Sequence, residues 1–358
     1  MAKFRKIGIL TSGGDAPGMN ACIKAVVSKA LTLGVEVVGI NRGYQGLIEG
    51  DLRPLLPKHV ANILGRGGTI LYSSRSPMFK TEEGMAAAVK TCRDNGIDAL
   101  ICIGGDGTFR GATDMTRHGI PSIGLPGTID NDITATDYTI GFDTSINSTM
   151  QIIDKLRDTC ESHARLNVVE VMGRNCGQIA LYAGIASGAV AVVIPEIPFD
   201  EAAALEKIRK LREDGRRGMI AIVCEGVTNP DGTPYSEAFR HTITEKTGVE
   251  TKFVRLAHIV RGGEPTARER STAMRMGIAA VELLHEGISN VVMCELDGKI
   301  CPVDISFALI ADRMYKSKLQ PGDLDPFTPE QLEDMRLLCK KRQNEIQHLY
   351  KVAQDVAN

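Results

Sequence analysis

Three short stretches of the 358-residue sequence hold residues whose types and order suit phosphate chemistry. Residues 104–108 read Gly-Gly-Asp-Gly-Thr, directly after the apolar run 99–103 and directly before a helical pattern. At the carboxyl end of a strand in an α/β sheet, such a loop aims the first amides of the next helix at an anion, and its glycines let backbone approach phosphate. Asp106 is the unusual member. A carboxylate beside a phosphate is repulsive unless a cation lies between them, and Mg2+ is the usual one. The loop therefore suggests a nucleotide with its metal, against the plainer reading of a turn built from turn-forming residues. Ser12-Gly13-Gly14 repeats the device after residues 6–11, with Gly14 as the expected backbone donor. The third stretch, 126–137, crowds Asp130, Asn131, Asp132 and Asp137, a density that is costly unless some of them face a metal, a substrate hydroxyl or water. Arg66, Arg75 and Lys80 lie in the glycine- and serine-rich segment 64–80, either solvated or available to clamp phosphates.

These loops need strands and helices in alternation to hold them, and the pattern supplies both. Apolar runs predict strands at 6–11, 35–40, 99–103, 121–125, 167–172, 189–194 and 219–224, with an apolar-rich segment at 251–260. Helical spacing predicts helices at 19–33, 82–95, 143–164, 237–247 and 266–285. The glycines of 41–47 read as loop, and 290–296 with 300–303 reads as a strand pair around Asp297-Gly298-Lys299. Thr328-Pro-Glu-Gln331 is a capping-box pattern opening a long amphipathic helix, with Leu332, Met335, Cys339, Ile346, Leu349 and Val356 on its apolar face. The expected fold is α/β, with two doubly wound, mostly parallel sheet domains facing a cleft.

Composition narrows the function. Apolar residues make up 43% and charged residues 24%, enough to build sizeable cores, and the net charge of −2 argues against nucleic-acid or membrane surfaces. No apolar run approaches the ~18 residues of a membrane span, and residues 1–10 lack the pattern of a signal peptide, so a cytoplasmic location is expected. The nine cysteines are never spaced Cys-x-x-Cys and read as reduced core residues. With no tryptophan and few other aromatics, there is no stacking platform for bases.

Six stretches together resemble the 6-phosphofructokinase family: LTSGGDAPGMNA at Leu10, IGGDGT at Ile103, GLPGTIDNDI at Gly124, DYTIGFDT at Asp137, VVEVMGR at Val168 and HIVRGG at His258. The resemblance runs from Ile7 to about Lys318. It implies transfer of the γ-phosphate of ATP to the 1-hydroxyl of fructose 6-phosphate, with Mg2+. Asp130 is then the base, Thr128 holds the moving phosphoryl group, Asp132 steadies Asp130 or the metal, and Arg174 offsets transition-state charge. Asp106 is the magnesium-associated carboxylate. Gly14, Arg75, Ser76, Gly105, Gly107 and Thr108 match nucleotide contacts, with Gly111 expected at the start of the next helix. Ile129, Met172, Gly173, Glu225, His258, Ile259, Val260 and Arg261 match the sugar-phosphate site. Arg165 and Lys252 match cations contributed by a neighbouring subunit, which implies a homo-oligomer, a tetramer by the family's habit.

The same resemblance bears on donor, regulation and domains. Pyrophosphate users of the family carry Asp and Lys where this chain has Gly107 and Gly127, so both positions favour ATP. Lys252 stands where the family usually has arginine, and an ammonium lacks the guanidinium's bidentate fork. Arg255 is a candidate to compensate. Lys24, Ser28 and Val190 depart from the family's effector site while Arg157, Arg216 and Arg217 remain, so control by ADP or phosphoenolpyruvate is expected to be weak or different. The expected nucleotide-binding domain is 1–140 plus about 260–305, the sugar-phosphate domain 141–259 plus about 306–320, and 321–358 a helical extension.

Overall fold

The computed structural model describes residues 4–357. In chain order the elements are β1 (Lys6–Thr11), α1 (Met19–Thr32), β2 (Glu36–Ile40), α2 (Gly43–Glu49), β3 (Leu52–Pro54), α3 (Pro57–Val60), α4 (Glu82–Asp94) and β4 (Ala99–Gly104). They continue with α5 (Asp106–Arg117), β5 (Ser122–Pro126), α6 (Phe142–His163), β6 (Leu166–Val171), α7 (Gln178–Ser187), β7 (Ala191–Val193), α8 (Glu201–Glu213) and β8 (Met219–Cys224). Last come α9 (Tyr235–Thr247), β9 (Thr251–Arg255), α10 (Ala267–Glu286), β10 (Val291–Leu296), β11 (Lys299–Asp304), α11 (Ile305–Tyr315) and α12 (Pro329–Asp355). The chain divides into two compact units, Met1–Ile129 with Ile133–Asp143 and Gly263–Lys340, and Asp130–Asp132 with Thr144–Gly262 and Lys341–Asn358.

The first unit is built on a seven-stranded sheet in the order β11-β10-β5-β4-β1-β2-β3. Its five inner strands are parallel, and antiparallel β3 and β11 close the edges. Every residue of β4 is buried, as an unbroken apolar run on an inner strand of a two-sided sheet requires. The chain leaves β1 for β2 on one side, and β4 pairs on the other, so the loops after β1 and β4 lie at a topological switch point, where open α/β sheets bind ligands. On one face α1 packs closely on α10. A Cβ at Gly277 would come within 2.9 Å of Ala25 and 3.0 Å of the Cys22 carbonyl.

The second unit has a four-stranded parallel sheet, β7-β8-β6-β9, and a core that includes Leu166, Val168, Val223, Phe239 and Ile243. The loops after β6, β8 and β9 all leave its carboxyl edge.

Three expectations change. Most of the stretch 41–47 lies in helix α2, Gly43–Glu49, rather than in a loop, because its glycines serve close approach: a Cβ at Gly46 would lie 1.7 Å from the Asn41 carbonyl oxygen. Residues 306–320, expected with the second domain, belong to the first unit, where α11 buries Ile305 and Ala308 in the sheet core. The extension is not a separate body either. Its capping box forms, Thr328 N–H donating to Gln331 Oε1 at 3.0 Å and Gln331 N–H to Thr328 Oγ1 at 3.2 Å, and Leu332 and Met335 pack around Ile310 and Ala311 in the first unit. From Lys341 onward the helix belongs to the second unit, with Ile346 and Ala353 buried and Val356 exposed. The nine cysteines are free thiols, and all but Cys301 are buried. Among the described residues, no helix is long and apolar enough to cross a membrane.

Candidate functional site

In the first unit the loops after β1 and β4 are stapled together. Ser12 N–H donates to the Ile103 carbonyl at 2.9 Å, and Thr108 Oγ1 donates to the Ser12 carbonyl at 3.2 Å. Gly104 permits this: its missing Cβ would sit 2.3 Å from both the Ser12 oxygen and Thr108 Oγ1. Gly105 caps α5 with no side chain; its carbonyl accepts from the Thr108 and Phe109 amides at 3.0 and 3.2 Å, which leaves the Asp106 and Gly107 amides uncapped. Cβ atoms at Gly105 or Gly107 would meet nothing within 4 Å. Uncapped amides beside open space fit a phosphate site. Asp106 begins the helix, half exposed, and accepts from Arg110 at 2.8 Å. Among the described residues no three carboxylates, histidines or cysteines gather as a metal cage, so Mg2+ here would take Asp106 together with phosphate oxygens, its usual mode.

Three expected nucleotide residues have further structural duties. Thr108 is buried by its bond to Ser12, and Ser76 Oγ donates to Gln45 Oε1 at 2.7 Å. Gly111 lies inside α5 rather than at its start, and a Cβ there would strike the Tyr44 ring at 2.6 Å. The segment 64–80 is pinned rather than loose. Asn20 Nδ2 donates to the Arg66 and Gly67 carbonyls at 3.0 and 3.2 Å, and Ser73 Oγ donates to the Gly13 carbonyl at 2.5 Å. Arg75 stays exposed.

In the second unit Asp130 is 4% exposed. Burial and the neighbouring Asp132 push its carboxyl up to about 6, against the pull of Arg261 and Arg174, with Glu225 adding to the rise. Four residues singled out from sequence thus act on Asp130. The loop after β6 delivers Gly173, at φ +137°, and Arg174, whose backbone N–H donates to Glu225 Oε1 at 3.2 Å. Glu225 and Gly226 follow β8, where a Cβ on Gly226 would lie 1.6 Å from the Arg174 carbonyl oxygen. His258 and Arg261 come from the 3-10 turn Ala257–Arg261 after β9, with Ile259 and His258 exposed and Val260 wholly buried. Met172 is buried.

Arg165 and Lys252 are not brought to this cluster. They share one carboxylate, Glu250, at 3.0 Å each. Arg165 immediately precedes β6, and Lys252 pairs with Asn167 at the strand's amino end, whereas Met172 to Arg174 follow its carboxyl end. Seven residues of strand put about 23 Å between Arg165 and Met172. Arg255, the candidate to compensate for Lys252, is held by Glu170, its Nε donating to Oε1 at 2.5 Å. Cations of the effector region, both the altered Lys24 and the retained Arg157 and Arg217, are likewise committed. Lys24 Nζ donates to the Val60 carbonyl at 3.1 Å, Arg157 to the Ser187 carbonyl, and Arg217 to the Glu161 and Ser162 carbonyls, places where cations complement helix carboxyl ends.

The raised Asp130 pKa yields a checkable pH dependence. A carboxylate acts as a base only when ionised, so log kcat/KM should fall with unit slope below pH about 6. Stability runs oppositely: between 3.8 and about 6 the folded chain holds a proton the unfolded chain has released, so stability falls as pH rises through that window. By pH 8 the cost is on the order of 3 kcal/mol, and Asp130→Asn should raise Tm there while showing no gain at pH 3.5. An equal Tm for both proteins at pH 8 would contradict this.

Sequence reading missed Gln178 and Arg342, and gave Asn131 no role of its own. Asn131 adopts φ +49°, and Arg342, on the tail helix, is 5% exposed and donates to the Asn131 carbonyl. The available signal was a cation at helical spacing between Cys339 and Ile346 on an apolar face.

Open parallel sheets with a glycine-lined helix start in one unit, and a buried carboxylate between two arginines in the other, define an α/β phosphotransferase. The chain belongs to the phosphofructokinase family, whose sequence profile matches residues 6–284. It is 50% identical over 321 residues to a protein of Halothermothrix orenii named ATP-dependent 6-phosphofructokinase, covering 87% of this chain and 96% of that one. It is equally 50% identical over 298 residues to ATP-dependent 6-phosphofructokinase 1 of Thermus thermophilus, with 83% and 91% covered. Phosphofructokinase from Saccharomyces cerevisiae superposes with a TM-score of 0.82 at 32% identity over 90% of this chain, which spans 47% of the yeast chain. A pyrophosphate-dependent phosphofructokinase from Marinobacter aquaeolei shares the fold, with a TM-score of 0.73 at 21% identity over 84% of this chain and 83% of its own.

Proposed function

We infer that this protein is an ATP-dependent 6-phosphofructokinase, which transfers the γ-phosphate of ATP to the 1-hydroxyl of fructose 6-phosphate and releases fructose 1,6-bisphosphate and ADP. The observation that carries the reading is Asp130, a buried carboxyl raised to about 6 between Arg174 and Arg261, within a sequence 50% identical to enzymes of that name. A base poised near working pH accepts the hydroxyl's proton as the phosphoryl group moves.

The other roles follow from chemistry at each residue. Gly14, Arg75, Ser76 and the loop Gly105–Thr108 are assigned to ATP. Mg2+, held by Asp106 and the phosphates, neutralises charge on the transferring group. Thr128 holds the moving phosphoryl group. Covalent connection alone keeps its Cα within about 7 Å of that of Asp130. Arg174 screens transition-state charge, and Asp132 tunes and steadies Asp130. Glu225 accepts from sugar hydroxyls, Ile129, Met172, Gly173, Ile259 and Val260 shape the site by side chain or backbone, and His258 and Arg261 bind the sugar's phosphate. Arg165 and Lys252 serve a neighbouring copy, which makes the enzyme a homo-oligomer, a tetramer in our reading, and glycolysis in the cytoplasm its setting. The nucleotide and sugar-phosphate domains are assigned to the first and second compact units.

Two glycines support ATP as donor. Open space at Gly107 leaves room beside the α-phosphate, whereas a side chain at Gly127 would crowd Ile103 at 2.9 Å and Met19 at 3.0 Å. Gly107→Asp is therefore expected to fold with unchanged Tm but to lose about 10²-fold in kcat/KM for ATP, as a carboxylate faces phosphate. Retained kcat/KM for ATP would remove the nucleotide from this loop and overturn the reading.

A further inference from the structure

The family profile ends at residue 284, yet the tail helix beyond it reaches the catalytic loop. Arg342, 5% exposed, donates to the backbone carbonyl of Asn131, the residue between Asp130 and Asp132. With the Gln178 amide oriented so that its oxygen faces the guanidinium, that oxygen accepts from both terminal nitrogens of Arg342, at 2.9 and 3.1 Å. Glu345, one turn on, completes the set at 3.4 Å, and the buried carboxyl of Glu196, bonded to Gly177 N–H at 2.8 Å, offsets the same cation. A buried guanidinium is tolerated only when its donors are satisfied, and here those donors end on α7 and on the loop that carries the base.

The held peptide is a strained one. Asn131 has φ +49°, a left-handed region that a non-glycine residue keeps where the surroundings over-determine it. Its ψ sets the direction of the chain into Asp132, and its φ that out of Asp130. We propose that Arg342 is a positioning residue for phosphoryl transfer: by clamping the Asn131 carbonyl and Gln178, it fixes the left-handed peptide and so the aim of the Asp130 and Asp132 carboxylates. This rests on the assigned reaction, in which Asp130 is the base. Arg342 touches no reacting atom. It makes the tail helix part of the catalytic apparatus rather than an ornament on the surface.

The test is steady-state kinetics of Arg342→Met, Arg342→Lys and Ile346→Ala beside the wild type, with fructose 6-phosphate and ATP. A misplacement of the order of 1 Å at the base costs about 10²-fold, so Arg342→Met should lose between 10- and 100-fold in kcat with both KM values within about threefold. Arg342→Lys, whose ammonium keeps one donor but not the fork, should recover part of the loss. Ile346→Ala removes buried packing from the same helix, lowering Tm but leaving kcat near wild type. Should Arg342→Met not fold, Arg342→Lys decides, and a wild-type kcat in it overturns the proposal. So does a kcat loss in Ile346→Ala equal to that in Arg342→Met, which would make the effect one of stability. Wild-type turnover separates the claims: its absence removes the assigned reaction and the inference with it, whereas its presence with an unimpaired Arg342→Met removes only the inference.

Discussion

Replacing Asp130 by serine is expected to lower kcat by about 10²- to 10⁴-fold while leaving KM for fructose 6-phosphate within a few-fold. The split follows from where the contacts lie. In the proposed assignment, ground-state affinity comes from cations on the sugar's phosphate and from Glu225 on its hydroxyls, none of which the substitution removes. Proton acceptance is needed only as the new P–O bond forms, so its loss falls on kcat and on kcat/KM alike. Serine also deletes a carboxylate whose ionisation is opposed by burial and by Asp132, so the variant should be no less stable at pH 8 than the wild type. A variant that keeps near-normal kcat would take the base assignment away from Asp130.

The second large effect concerns the cations that this chain does not bring to its own base. Arg165 and Lys252 meet on Glu250 at the amino edge of the four-stranded sheet, about 23 Å from the loop that carries Arg174. No side chain bridges that span, so their use on the sugar phosphate requires a second copy. Charge-assisted hydrogen bonds contribute about 1.5–3 kcal/mol each, and Arg165→Ala is expected to raise KM for fructose 6-phosphate by at least tenfold with ATP binding unaltered. Co-assembly supplies the decisive arm. Subunits carrying Asp130→Ser and subunits carrying Arg165→Ala, each poorly active, should together regain about a quarter of wild-type activity, because one interface in four pairs an intact base with an intact arginine. No recovery above the two parents would show that each chain uses its own Arg165.

Much of this was legible in the residues. The run Ala-Leu-Ile-Cys-Ile before Gly-Gly-Asp-Gly-Thr announced an inner strand ending at a glycine-rich helix start, because a strand buried on both faces must be continuously apolar. The positions of Arg174, Glu225 and Arg261 after successive parallel strands were equally readable, since parallel strands deliver their following loops to one edge. Helix α2 was not, because Gly43 and Gly46 act there through close backbone approach, which looks the same in sequence as chain breaking. The grouping of α11 with the first sheet escaped for a similar reason: its apolar face does not say which core it joins. Arg342 was hidden by its type, since cations on a surface helix are ordinarily solvated, and only its buried partners identify it. The commitment of Lys24, Arg157 and Arg217 to backbone carbonyls likewise needed coordinates, and it gives a physical reason to expect an altered effector response.

The most direct measurement is the initial rate with fructose 6-phosphate and Mg2+, with ATP and pyrophosphate offered separately to the purified protein. Turnover with ATP, and none with pyrophosphate, is the expected result, with fructose 1,6-bisphosphate as product. Sustained turnover with pyrophosphate alone would contradict it, showing that the open space at Gly107 and the crowding at Gly127 do not set the donor.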